Sequence, residues 1–82
     1  MAYTIARMQE CGPHVDKPMV LEIKKGRRCY IVALGRDGVW TSQKFHELPA
    51  AHKVFEKLSG WLIYGCYSDE GRRSYLETGT MA

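Results

Sequence analysis

The sequence has no hydrophobic run long enough to cross a lipid bilayer. Its longest apolar stretch, Cys29 to Leu34, has six residues, whereas a membrane-spanning helix needs about 20. The first residues, Met1 to Met8, also lack the charged start and the apolar block of a secretory signal. We therefore expect a cytoplasmic protein that does not enter a membrane.

The sequence also lacks a cysteine framework and a recognisable catalytic set. Its three cysteines are an odd number, which favours reduced thiols over disulfides. Cys11 and His14, taken with His46 and His52, match no zinc-ligand spacing. Cys29 and His46 lie opposite each other in the strand pairing predicted below, but a buried strand cysteine is usually structural. We expect no metal, no cofactor and no enzymatic activity.

Acidic residues are absent from positions 24 to 36, although the whole chain has nine of them against 12 Lys and Arg. We call the five basic residues of this stretch the basic arc: Lys24, Lys25, Arg27, Arg28 and Arg36. The net charge of the chain is only +3. The positive field is therefore concentrated in this segment, around the ends of the central strands.

A β-hairpin is predicted around Asp37-Gly38, which stands between two strand-like runs. Asp and Gly tolerate the positive φ angles that a tight turn requires, so this pair is a strong hairpin signal. The resulting register places Trp40 opposite Gly35. In that position the aromatic ring covers the bare backbone of the glycine.

Earlier segments extend the predicted sheet. Residues 2–10 predict a first strand, residues 11–18 a loop, and residues 19–24 a second strand with alternating polarity. A turn at Lys25-Gly26 would connect this strand to the next and pair Ile23 with Arg28. These registers place one apolar set on a single face: Met19, Leu21, Ile23, Tyr30, Val32, Leu34, Val39 and Phe45. The opposite face has Val20, Glu22, Cys29, Ile31, Ala33, Trp40, Ser42 and Lys44.

A helix is predicted directly after these strands. Pro49 suits its first position, Gly60 suits its end, and the apolar residues recur at helical spacing: Ala51, Val54, Phe55 and Leu58. Residues 61–67 and 72–78 predict a second hairpin around a turn at 68–71. The sequence thus predicts a single domain over residues 1–82, with an α+β fold. Its antiparallel sheet has about five to six strands, with one helix packed on one face.

The predicted partner-binding residues are the basic arc and two residues of the sheet face that the helix leaves free. They are Lys24, Lys25, Arg27, Arg28, Arg36, Trp40 and Lys44. Tryptophan and arginine dominate interface energetics, so we interpret the chain as a non-enzymatic binding protein. It would block or regulate a larger protein or nucleoprotein partner that handles nucleic acid. The alternative is a nucleic-acid-binding module, because basic residues contact phosphates and Trp40 offers a stacking platform for a base.

One segment, Tyr30 to Leu58, resembles the strand, turn, strand and helix of a WGR domain. That module is associated with nucleic-acid ends in polymerase-type repair enzymes. The shared residues are Gly35, Arg36, Gly38, Phe45, Ala51 and Phe55. Leu34 stands where the family has the tryptophan of its signature, and the match covers about a third of the chain. The resemblance implies a nucleic-acid context for this segment.

In size and organisation, the chain also resembles the small inhibitors encoded by phages, of which anti-CRISPR proteins are the best-known group. The shared features are a chain of 82 residues, a small sheet with one helix, and no catalytic set. This resemblance implies a phage protein that inhibits its target by occupying a surface on it.

Overall fold

Four strands form one antiparallel sheet, and their order in space follows their order in the chain. The computed structural model describes residues 3–10 and 16–79. In this part the elements are β1 (Tyr3–Gln9), β2 (Val20–Gly26), β3 (Cys29–Arg36), β4 (Val39–Phe45), α1 (Leu48–Tyr64) and α2 (Asp69–Thr78). The α+β class and the antiparallel sheet are as predicted. The predicted numbers of elements are wrong: the described residues form four strands and two helices, whereas the sequence predicts five to six strands and one helix.

The hairpin between β3 and β4 forms as the sequence predicts. Asp37 and Gly38 both have positive φ, at 53° and 81°, which is the geometry of a two-residue turn that matches the strand twist. Strand β4 then pairs with β3 so that Trp40 lies opposite Gly35. The predicted register of this hairpin is confirmed.

The hairpin between β2 and β3 turns two residues later than predicted. Arg27 and Arg28 form the turn, with Arg28 at a φ of 59°, while Gly26 remains in β2. Ile23 consequently lies opposite Val32 and not opposite Arg28. This register is favoured because it pairs two β-branched side chains on the buried face. The partner changes by an even number of residues, so every side chain keeps its predicted face.

Strand β1 forms one edge of the sheet and confirms the predicted first strand. Its pairing with β2 contains a bulge between Thr4 and Ala6. Of the predicted loop at 11–18, residues 11–15 lie outside the described residues, and these include Cys11 and His14.

Helix α1 is longer than the sequence predicts. It begins at Leu48 with Pro49 in its first turn, passes through Gly60 and ends at Tyr64, where Gly65 adopts the left-handed conformation. Leu58 and Leu62 are four residues apart and both buried. The apolar stripe therefore continues past Gly60, and burial outweighs the low helix propensity of one glycine, about 1 kcal/mol. The predicted strand at 61–67 is wrong.

Helix α2 replaces the returning strand of the predicted second hairpin. The hydroxyl of Ser68 accepts a hydrogen bond from the backbone N–H of Gly71 at 3.2 Å, which caps the helix. Asp69 and Glu70 occupy the first turn, where carboxylates interact favourably with the helix dipole. The predicted turn at 68–71 is thus the start of a helix, and the predicted strand at 72–78 is wrong.

Both helices cover the same face of the sheet. The buried core contains Met19, Leu21, Ile23, Val32, Leu34, Ala51, Leu58, Leu62 and Leu76. Val54 and Phe55 are partly buried and pack against it, so the predicted apolar stripe of α1 faces the sheet. The core lies between this sheet face and the two helices, which leaves the opposite sheet face available.

The carboxylate of Glu10 connects the end of β1 to β3 and α2. Its Oε1 accepts hydrogen bonds from Arg36 Nη2 at 2.7 Å and from the backbone N–H of Met19 at 2.8 Å, while its Oε2 accepts from Arg72 Nη1 at 3.2 Å. Arg72 is only 4% exposed, and it also donates to two carbonyl oxygens near the end of α1. Because a buried guanidinium is destabilising unless it is paired, Glu10 is required for α2 to dock.

Gly60→Ala should raise the free energy of unfolding by about 0.5–1 kcal/mol, because alanine loses less backbone entropy in a helix interior. An added Cβ at Gly60 would meet no atom within 4 Å. Gly65→Ala is the matched control, since its site is equally open but its φ is 69°. That change should destabilise by about 1 kcal/mol. Urea denaturation measures both, and a similar effect of the two variants would contradict the assignment of the helix end.

Glu10→Ala should lower the free energy of unfolding by about 3–5 kcal/mol, because Arg72 would remain buried without a carboxylate. Lys17→Ala is the control, since the Lys17–Asp37 pair is exposed at both ends and such pairs contribute at most about 1 kcal/mol. Chemical denaturation of the parent and the two variants measures these changes in the free energy of unfolding. A loss below about 1 kcal/mol for Glu10→Ala would refute the structural role of this carboxylate.

Candidate binding surface

The sheet face away from the helices, which we call the open face, is built from alternate residues of all four strands. Its described side chains include Arg7, Val20, Glu22, Lys24, Cys29, Ile31, Ala33, Trp40, Ser42 and Lys44. Three of these residues are basic and one is acidic, so the face has a net positive charge. An aromatic ring and several aliphatic side chains lie among the charges.

Trp40 is held flat against this face by Gly35. A Cβ added to Gly35 would come within 2.7 Å of Cδ2, Cε3 and Cε2 of the indole, with Cδ2 the nearest. Cδ2 is a ring-fusion carbon with no free in-plane edge, so the glycine must lie under the face of the ring. Trp40 is nevertheless 50% exposed. One ring face is therefore fixed by the sheet, and the other is available for stacking.

One basic side chain, that of Lys24, reaches the Trp40 ring, and two more lie elsewhere on the open face. Lys24 Nζ lies 6.0 Å from the ring centroid, at the outer limit of a cation–π contact, and 3.4 Å from Glu22 Oε1. Arg7 Nε lies 3.5 Å from the other oxygen of Glu22. Lys44 is exposed and has no acidic partner among residues 3–10 and 16–79. Arg7 and Lys24 share the single carboxylate of Glu22, so the three cations of this face carry more positive charge than the acid neutralises.

The structure brings together only part of the predicted binding set. Lys24, Trp40 and Lys44 share the open face. Arg27 and Arg28 occupy the exposed turn between β2 and β3, about 20 Å along the strands from Trp40. Lys25 lies on the face that the helices cover, with its Nζ 4.4 Å from the centroid of the Tyr30 ring.

Arg36 does not lie beside Trp40, and this expectation is corrected. Its side chain is on the helix-covered face, where Nε is 3.1 Å from Asp69 Oδ2 and Nη2 is 2.7 Å from Glu10 Oε1. Its Nη1 also donates to the backbone oxygen of Lys17 at 2.7 Å. The pKa of Arg36 is raised, chiefly by its hydrogen bond to Asp69 and further by the charge of Glu10. Arg36 is thus occupied in holding α2 and β1 to the sheet.

Arg7 also lies on the open face, although it is not among the binding residues predicted from the sequence. Alternation along β1 does not say which set of its side chains points to the core, because most of this edge strand is exposed. The pairing of β1 with β2 places Arg7 opposite Glu22. The sequence signal for placing Arg7 on the open face is its charge, which is opposite to that of Glu22 at the paired position.

Other kinds of site are not found in the described part of the chain. Residues 3–10 and 16–79 contain no pocket and no group of His, Cys, Asp or Glu that could hold a metal ion. No helix within them has the length and apolar character to cross a membrane. No protein-family model, curated protein or solved structure matches the chain.

Gly35→Ala should displace the Trp40 ring from the sheet, because the added methyl group would occupy the place of the indole. The measurement is acrylamide quenching of fluorescence in a Trp61→Phe background, which leaves Trp40 as the single tryptophan. Quenching should increase and stability should fall by about 1 kcal/mol. Ser42→Ala, on the same face, is the control and should change neither. Unchanged quenching in Gly35→Ala would contradict the stacking of Trp40 on Gly35.

Proposed function

We propose that this chain is a small non-enzymatic binding protein that blocks or regulates a larger, nucleic-acid-handling partner by docking its open face on it. This is the mode of action that the resemblance to small phage-encoded inhibitors implies. The single observation that carries the proposal is the position of Trp40: Gly35 holds one face of its ring, and the ring remains exposed with Lys24 Nζ 6.0 Å from its centroid.

The geometry of Trp40 supports binding because the ring is already in place before a partner arrives. An interface residue that must be immobilised on binding loses about 0.5–1.5 kcal/mol of side-chain entropy. Gly35 removes much of that cost by fixing the ring against the sheet. Tryptophan is also the residue type most enriched among the contacts that dominate interface energetics.

The charge of the open face supports an acidic partner surface. Arg7, Lys24 and Lys44 share this face with the tryptophan, and the acid among them is Glu22, which pairs with Arg7 and Lys24. Proteins that handle nucleic acid carry or bind polyanions, so a basic face with a stacking residue can compete for the same contacts. Complementary charge raises the rate of association with such a partner, and this rate then falls as the salt concentration increases.

Direct binding of single-stranded nucleic acid is the second candidate, and the exposed ring face of Trp40 is the observation that favours it. A base can stack on that face for about 1–3 kcal/mol, while Lys24 and Lys44 contact phosphates. Each phosphate contact on a single strand gives a slope of about 0.7 in the dependence of log affinity on log salt. The two candidates therefore differ in whether the protein binds an oligonucleotide without any other protein.

Trp40→Ala should weaken partner binding by about 2 kcal/mol or more and leave the fold intact, because half of the ring is already exposed. The immobilised parent, Trp40→Ala and Tyr64→Ala are each incubated with lysate of the native host. Tyr64 is an exposed aromatic residue of α1, on the other side of the molecule, and is the matched control. The partner is the nucleic-acid-handling protein that the parent and Tyr64→Ala retain and Trp40→Ala loses. Equal retention by all three proteins would refute the proposal.

A labelled single-stranded oligonucleotide tests the second candidate in the same variants. If the open face binds it, affinity should fall with salt, and Lys44→Gln should reduce the log–log slope by about 0.7. Trp40→Ala should weaken binding about tenfold or more. No binding by the parent at about 50 mM salt, where phosphate contacts are strong, would exclude direct nucleic-acid binding and leave the first proposal standing.

A further inference from the structure

The outer edge of β4 has unpaired backbone groups at three positions. Arg36 and Val39 flank the two-residue turn and form a hydrogen-bonded pair. Hydrogen-bonded pairs and non-hydrogen-bonded pairs then alternate along the hairpin, and residues 40, 42 and 44 of β4 belong to the non-hydrogen-bonded pairs. Residues 40, 42 and 44 therefore direct their N–H and C=O groups away from β3. No hydrogen bond within residues 3–10 and 16–79 joins these groups to other backbone. This edge is thus a template for a further strand.

Strand β4 has little of the protection that edge strands usually carry. It is seven residues long and has no bulge and no proline, whereas β1, at the other edge, is interrupted by a bulge. Ser42 and Lys44 are exposed, and Val39 is 64% exposed. A single charge, on Lys44, opposes pairing with another chain.

We propose that the β4 edge is an interface with a second copy of this chain, which pairs with it in antiparallel fashion about Ser42. Ser42 then lies opposite Ser42 of the partner subunit, and Trp40 lies opposite the partner's Lys44. Each of the three outward residues on one strand meets an outward residue on the other. All the free backbone groups of the edge are satisfied at once, and the two four-stranded sheets become continuous.

The side chains favour this register over its neighbours. On the open face, Lys44 lies opposite the partner's Trp40, and its long side chain can extend over the exposed face of that ring for a cation–π contact. On the helix-covered face, Val39 lies opposite the partner's Phe45, so two apolar side chains cover each other. A shift by two residues would place Lys44 opposite Ser42 of the partner subunit and leave one outward residue of each strand unpaired. The sequence of β4 is therefore self-complementary about its centre.

The symmetry of this dimer has a consequence for the open face. A two-fold axis through Ser42, perpendicular to the sheet, places the open faces of both subunits on the same side. Two Trp40 rings and two sets of basic side chains would then lie on one extended surface. The dimer goes beyond the proposed function and does not rest on it, because the contact uses the strand edge.

The first test is the mass of the full chain by analytical ultracentrifugation over a range of concentrations. We expect a reversible rise toward twice the 9.4 kDa of one chain. A single pair of strands is a small interface, so the dissociation constant should lie between about 1 μM and 1 mM. A parent protein that keeps the mass of one chain at the highest soluble concentration would overturn the proposal.

Charge changes at Ser42 test the register. Ser42→Lys and Ser42→Glu each place like charges opposite one another across the axis, so either variant alone should dimerise about fivefold more weakly or worse. An equimolar mixture of the two should recover the dimer. Thr4→Lys, at the edge formed by β1, is the matched control and should dimerise like the parent. Dimers that survive both Ser42 changes, or a mixture that remains monomeric, would overturn the interface about Ser42.

Ser42→Pro tests the backbone pairing directly. Proline removes the N–H of residue 42, which points outward, and leaves the hydrogen bonds between β3 and β4 in place. Dimerisation should weaken about tenfold or more through the two bonds lost at the axis. Circular dichroism checks that the variant keeps the parent fold, and the charge variants decide the question if it does not. A folded proline variant that dimerises like the parent would overturn the proposal.

Discussion

Glu10 holds three separate parts of the chain together. Its two carboxylate oxygens accept hydrogen bonds from Arg36 on β3, from Arg72 on α2 and from the backbone of Met19, just before β2. Arg72 is buried, and a buried guanidinium without a carboxylate would oppose folding. The docking of α2 therefore depends on an acid that is 62 residues away in sequence. With α2 and α1 on one face, the core is complete and neither helix covers the other face of the sheet.

The open face and the β4 edge share one structural element, the hairpin from β3 to β4. Gly35 has no side chain, so the Trp40 ring can lie on the sheet and keep its other face exposed. The same hairpin directs the backbone of Trp40, Ser42 and Lys44 outward. One local feature, the turn at Asp37-Gly38, thus sets both the stacking residue and the unpaired edge.

The parts of the fold that the sequence predicts well are those with a strong local signal. The Asp37-Gly38 turn and the start of α1 at Pro49 depend on backbone preferences of a few residues. The strand predicted at 61–67 is wrong because most of the aromatic and β-branched residues that suggest a strand there are part of a helix. Leu58 and Leu62 already had helical spacing, and Ser68 followed by Asp69 and Glu70 is a helix start. These signals favour helices beyond residue 60, whereas Gly60 by itself favours a helix end.

By itself, the sequence determined the α+β class, the antiparallel sheet, the division of β2, β3 and β4 into two faces and the opposition of Trp40 and Gly35. Each of these follows from a period of two residues or from one short turn. Only the tertiary structure decided the turn between β2 and β3, the second helix and the position of Arg36. The observed turn between β2 and β3 brings Ile23 opposite Val32. The observed position of Arg36 brings its guanidinium to the carboxylates of Glu10 and Asp69. These partners are distant in sequence, so burial and charge pairing select them only when the whole chain has folded.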